Sequence, residues 1–245
     1  MNCADEIQVA SIGRLVAREL LREEDVRQMF TLFRDHFDGV QFADFRRDLE
    51  AKNWIILLEK GGRLVGFTTL LVYETSVECE ICTIVYSGDT IVAPEVWNAP
   101  TLPRTWIGSV ARLRELFPRG RYLWLLITSG FRTYRFLPLF WREFFPRFDL
   151  ETPPDWKRRM DILAFERFEQ LYNPATGIVR FASPQTLREP LSVIPAGRHI
   201  DPHVGYFLSR NPEHLAGDEL VCLTELSPQN LTSAGRRMAS EVPGW

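Results

Sequence analysis

Along the first hundred residues the spacing of apolar positions changes period twice. Over 14–20 (RLVAREL) apolar and polar residues alternate, which predicts a strand. Over 22–37, Val26, Met29, Phe30, Phe33 and Phe37 recur at helical spacing behind an acidic first turn, predicting an amphipathic helix. A second, short helix is expected over 42–53, after the Asp38-Gly39 break. The period then returns to that of strands. Segments 54–60 and 63–75 flank Gly61-Gly62 and read as a β-hairpin, and 78–94 adds a third antiparallel strand rich in β-branched residues.

From Thr101, residues Leu102, Trp106, Val110, Leu113 and Phe117 mark one helical face, which ends near Pro118-Arg119-Gly120. Residues 121–130 are almost wholly apolar, as buried central strands are. A helix is expected over 131–148, kinked or restarted at Pro138, and a longer one from Thr152, with Pro153 and Asp155 in its first turn, through Tyr172. Prolines then dominate. Within that loop-rich part the pattern places a strand over 177–181, a helix over 202–210, a strand over 219–226 and a terminal helical turn. The expected division is a core over 1–150 and an extension over 151–245 packing on it.

A chain of 245 residues with 45% hydrophobic and 25% charged residues can bury a sizeable core, which excludes disordered and fibrous classes. Cys3, Cys79, Cys82 and Cys222 are too scattered for a zinc knuckle. They read as buried free thiols, the C-x-x-C pair facing opposite sides of a strand. With no basic-then-apolar leader and no long apolar run, the expectation is a cytoplasmic protein without a membrane span. Net charge is -3, yet from Arg104 to Arg159 twelve Arg/Lys stand against five Asp/Glu. Such a basic island suits phosphate groups or an acidic partner, while the acidic remainder argues against nucleic acid.

Order and one phrase together carry a resemblance. Strand, two helices, three antiparallel strands, helix, strand and helix, with Val92-Ala93-Pro94-Glu95-Val96 closing the fourth strand, resembles the GNAT (Gcn5-related N-acetyltransferase) superfamily over roughly 12–148, with 219–226 as a last strand. The resemblance implies an α/β (α+β) fold with a mixed, mainly antiparallel central sheet, splayed fourth and fifth strands, and helices on both faces. It also implies acyl transfer from a pantetheine thioester, as acyl-CoA or on an acyl carrier protein, to an amine by direct attack. The pantetheine arm would pair with the edge at Ile91, Val92 and Ala93, and no metal is called for.

The same segment departs from the family's phrase. Where a glycine-rich turn would cradle pyrophosphate, this chain has Trp97-Asn98-Ala99-Pro100, with no glycine and, at Pro100 and Pro103, no N–H. Trp97 and Asn98 keep the position of that turn, and Arg104, Arg132 and Arg135 become the expected phosphate ligands, as guanidinium groups bind phosphate bidentately. A non-catalytic protein of this fold, binding a metabolite, a carrier protein or another subunit, is the alternative that this turn favours. Asp89, a carboxylate inside an apolar strand beside Ser87 and Gly88, is the expected base, with Gly88 marking a bulge. Tyr134 is the expected proton donor, by its place in the helix after the fifth strand. His199 and His203 flank Asp201-Pro202, where Asp201 is expected to cap a helix rather than share a metal. No G-x-S-x-G, Walker or Rossmann phrase occurs.

Overall fold

The computed structural model describes residues 11–189 and 191–240. Its longer elements are β1 (Ile12–Ala17), α1 (Glu23–His36), α2 (Phe42–Glu50), β2 (Trp54–Lys60), β3 (Arg63–Val77), β4 (Glu80–Val92), α3 (Thr101–Leu116), β5 (Arg121–Thr128), α4 (Phe131–Phe140), α5 (Pro154–Phe168), α6 (Pro202–Arg210), β6 (Glu219–Glu225) and α7 (Ser233–Met238). The strands lie in the order β1-β2-β3-β4-β5-β6, followed by the short pairs Ile178–Val179 and Tyr172–Asn173. Every neighbouring pair is antiparallel except β4 and β5, which run parallel. This is a mixed, mainly antiparallel central sheet in an α/β chain.

Local chemistry explains the elements. Acids in the first turn of α1 sit at the positive end of its dipole, and the Asp25 carboxylate accepts from the Arg22 backbone N–H at 3.0 Å, closing that end. Gly61 and Gly62, both at positive φ, make the β2–β3 turn; Glu78 and Cys79, also at positive φ, make the β3–β4 turn. Asp201 caps α6, accepting from the His203 N–H at 3.0 Å.

Three apolar layers hold the sheet. On one face α3 and α4 cover it with Trp106, Val110, Leu113, Leu137 and Trp141. On the other, α1 and α2 cover one half through Met29, Phe33, Phe45 and Leu49, and α5 covers the second half through Trp156, Met160 and Leu163. The chain beyond residue 150 therefore supplies both a covering helix and a strand of the same sheet.

Several expected boundaries shift. β1 stops at Ala17 and Arg18–Leu20 is a turn of 3-10 helix. The helix expected over 131–148 ends at Phe140, with Pro138 inside it, and Phe144–Phe145 pairs with β6 instead. No side chain caps α5; Pro153 stands at the cap and Pro154 opens the helix. Cys79 is exposed because it lies in the turn rather than the strand; Cys82 and Cys222 are buried free thiols, and Cys3 lies outside the described residues.

Candidate active site

The parallel pairing of β4 and β5 runs from Cys82 opposite Arg121 to Ser87 opposite Leu126 and then stops, although both strands continue. The cause is a bulge. Thr68 faces Thr90 and Leu70 faces Ser87, so Gly88 and Asp89 together stand opposite the single residue Thr69. At the point of separation the Trp124 indole N–H of β5 donates to the Ser87 hydroxyl of β4 at 2.8 Å. Beyond this tie β4 follows β3 alone, as shown by the Ala93 N–H bonding the Val65 carbonyl at 2.8 Å. Antiparallel pairing alternates its free groups, so the N–H and C=O of Val92 point into the opening. Ile91 and Ala93 are buried; Val92 is half-buried.

On the face between α2 and α5 the opening collects ionisable groups. Asp89 is half-buried and makes no hydrogen bond or ion pair among the described residues. Burial, and then the Asp48 carboxylate, push its pKa up to about 7, against the pull of the Lys52 ammonium. Glu219 enters from the start of β6, beside the end of β5, and burial followed by Asp89 and Asp48 raises it to about 8. Lys52 is fully buried, donating to the Asp48 carboxylate at 2.5 Å and the Asp48 carbonyl at 3.2 Å. Lys52 and Arg167 stand 5.6 and 4.9 Å from the Tyr86 ring centre, and burial holds the Tyr86 phenol well above its ordinary pKa. The Thr69 hydroxyl is buried without a partner. Position 88 must be glycine for contact reasons, since a Cβ there would lie 2.6 Å from Thr69 Oγ1 and 2.7 Å from Lys52 Cε.

The α3/α4 face of the opening is different. Its inner end is filled by tryptophan: Trp106 and Trp124 have ring centres 4.3 Å apart, and Trp124 and Trp141 5.0 Å. At the mouth the Trp97 indole N–H donates to the Val92 carbonyl at 2.6 Å, occupying the acceptor a pantetheine arm would use. Arg132 stacks on that ring, its guanidinium carbon 4.2 Å from the centre, and donates to the Leu191 carbonyl at 2.7 Å. The main chain after β4 also turns inward. The N–H groups of Val96, Trp97 and Ala99 bond the carbonyls of Ala93, Pro94 and Val96, leaving no row of free amides for phosphate. A backbone cradle for the pyrophosphate of CoA does not fit this turn. Side chains fit better: Arg132 stands at the mouth, and burial, followed by the Arg198 charge, lowers its pKa.

The remaining expected residues are spread apart. Arg135 pairs with Asp201 at 2.7 Å. Arg104 lines a separate cleft beside β1, and Asn98 is exposed near the mouth. Tyr134 is fully buried against Phe144 and Phe207; its hydroxyl donates to the Pro146 carbonyl at 2.9 Å, and burial raises its pKa, which makes it a packed aromatic rather than a donor at the opening. The basic island also disperses: Arg112, Arg119, Arg121, Arg135, Arg147, Lys157, Arg158 and Arg159 all pair with carboxylates. Sequence reading missed Lys52, Tyr86, Arg198 and Glu219. Only the ionisable residue at the head of an otherwise apolar strand, Glu219, carried a signal of the kind that drew attention to Asp89.

No protein-family model matches the sequence, and no curated protein matches it. Solved structures match in part. One from Enterococcus faecalis, described as a probable N-acyltransferase, is similar over 54% of this chain at 13% identity and a TM-score of 0.41; the chain spans 33% of that protein's length. An acyl-CoA N-acyltransferase from Pseudomonas aeruginosa is similar over 49% of this chain and 80% of its own, at 13% identity and a TM-score of 0.38. A GNAT family N-acetyltransferase from Escherichia coli in complex with CoA overlaps 52% of this chain and 68% of its own, at 14% identity and a TM-score of 0.37. Among the described residues no helix is long and apolar enough to cross a membrane.

Proposed function

We propose that the chain is an N-acyltransferase that moves a short acyl group from a pantetheine thioester to an amine by direct attack, with Asp89 as the base. What supports this most is a carboxyl without a partner in the bulge where two parallel strands separate, its pKa lifted to about 7. The amine nitrogen attacks the thioester carbon; the N–C bond forms, the C–S bond breaks, and the proton leaves the nitrogen for Asp89. The thiolate departs and is reprotonated. Tyr86, a buried phenol within electrostatic reach of Asp89 and Glu219, is the nearer candidate for that proton than Tyr134. A cationic acceptor suits the α2/α5 side, where Asp48, Asp89 and Glu219 gather. The tryptophan packing at the inner end favours a short acyl group over a long one.

The donor enters on the α3/α4 side. There Arg132 and Arg198 take the phosphate, and Trp97 swings away from the Val92 carbonyl to admit the pantetheine arm. Free CoA and a carrier-protein donor in the cytoplasm both fit these two guanidinium groups. The test is incubation with acetyl-CoA, longer acyl-CoA and acyl-carrier-protein thioesters plus a panel of amines, following free thiol and product mass. Turnover that disappears with Asp89→Asn supports the proposal. The closed Val92 edge favours a second reading, a binding protein of this fold that has given up transfer. Tight thioester binding without thiol release from any donor would establish that one instead.

A further inference from the structure

Outside the strand opening, a cleft of about 440 Å³ lies between β1 and α3. We infer that this cleft is a binding site for a phosphate group, held between Arg104 and Arg112 over the hydroxyls of Thr105 and Ser109. Thr101, Arg104, Thr105, Ser109 and Arg112 form one stripe along α3, with Ser11 facing it from the chain before β1. Residues 105 and 109 are one turn apart and share a face, and Gly108 beside them keeps the helix surface bare. The two arginines bracket this turn, about 12 Å apart along the helix axis, so their long side chains can close on a group seated between them. None of the described residues lining the cleft is acidic.

Ser109 points to a ligand in its own right. It is 5% exposed and lines the cleft, yet its hydroxyl makes no hydrogen bond among the described residues. A serine inside a helix ordinarily reaches water or bonds the carbonyl one turn back, as Thr31 does with the Arg27 carbonyl at 2.9 Å. Arg104 likewise has neither carboxylate nor carbonyl partner among the described residues, and Arg112 is held only by the exposed Glu115 at 2.8 Å. At the amino end of the cleft the Thr101 hydroxyl meets the Ser11 hydroxyl at 2.5 Å. Hydroxyls and guanidinium groups without an acid among them make a setting for a phosphate dianion or monoester. The proposal is independent of the acyl-transfer reading, because this site lies on the β1 side of α3 and shares no residue with the opening.

The full chain is titrated calorimetrically with inorganic phosphate and, separately, with O-phosphoserine, at ionic strength held constant with sodium chloride. Saturable binding is expected for at least one of them; the stronger of the two tells free phosphate from a monoester. Arg104→Gln and Ser109→Ala should each weaken it, the arginine by about tenfold, while Arg34→Gln, exposed on α1 and outside both sites, leaves it unchanged. Arg104 is exposed and Ser109→Ala removes only a hydroxyl from a buried position, and an unchanged melting temperature without ligand confirms that both variants fold. No saturable binding, equal binding by Arg104→Gln and wild type, or loss only in Arg132→Gln would each overturn the site. The last result would move the phosphate to the strand opening and leave the acyl-transfer proposal standing.

Discussion

The two faces of the strand opening are built on opposite terms. The α2/α5 face gathers ionisable groups short of partners: among the described residues Asp89 makes no hydrogen bond or ion pair, Glu219 is lifted to about 8, and the fully buried Lys52 is held by Asp48. The α3/α4 face has satisfied its groups internally: Trp97 covers the Val92 carbonyl, three amides bond back into the turn, and three indoles fill the inner end. Burying unpartnered ionisable groups costs stability, and folds keep them where chemistry needs them. On the proposed acyl-transfer reading, the acceptor side is prepared in advance, whereas the donor side must rearrange before a thioester can lie along β4.

The strongest way to break this contrast is Asp89→Asn. Loss of the base should lower turnover by about 10²- to 10³-fold with donor affinity retained, measured by thiol release and by binding of a non-hydrolysable CoA analogue. The same variant has a stability signature. Because the folded pKa is raised, Asp89 favours the folded state below the unfolded carboxyl's pKa, and that contribution is lost as pH rises toward about 7. Asp89→Asn should therefore nearly match wild type in urea unfolding at pH 4 and exceed it at pH 8 by about 2 kcal/mol, solvent screening of the half-buried carboxyl halving the roughly 4 kcal/mol that the rise to about 7 carries. Turnover of the wild type should rise with pH through about 7, as Asp89 ionises.

On the donor side, Arg132→Gln should weaken CoA binding by about tenfold, and added salt should narrow the gap between variant and wild type. Trp97→Ala sharpens the comparison further. If the indole is a latch on the Val92 carbonyl, its removal tightens donor binding several-fold, by about 1 kcal/mol; weaker binding would make the ring a stacking platform instead. Lys52→Met acts back on the acceptor side. Removing the cation that lowers the Asp89 pKa should move the acid limb of the turnover profile up by about one unit. Smallest of all, Tyr134→Phe should cost about 1 kcal/mol for its bond to the Pro146 carbonyl, with turnover nearly unchanged.

How much of this was legible in the chain follows from distance along it. The bulge at Gly88-Asp89 could be read because a glycine and an acid interrupt a β-branched strand locally. Helix α6 and its Asp201 cap were legible for the same reason. Lys52 was not, because it reads as a solvated helix end until Tyr86 and Gly88 cover it from β4. Arg135 looked like a phosphate ligand because its partner, Asp201, lies on an element that sequence could not bring beside it. The basic island dissolved likewise, since Glu74, Glu78, Glu80 and Glu225 reach it only through the sheet. Charge counted along a segment says little about charge met on a surface.

The place of β6 has a consequence for how the molecule is made. This strand, which covers the outer edge of β5 and carries Glu219, follows β5 by about ninety residues. A nascent chain that has already formed β1–β5 therefore presents an almost wholly apolar strand edge to solvent for several seconds at ordinary translation rates. The acidic group and the protection of that edge arrive together, so a polypeptide released early lacks both and is prone to pair with its own kind.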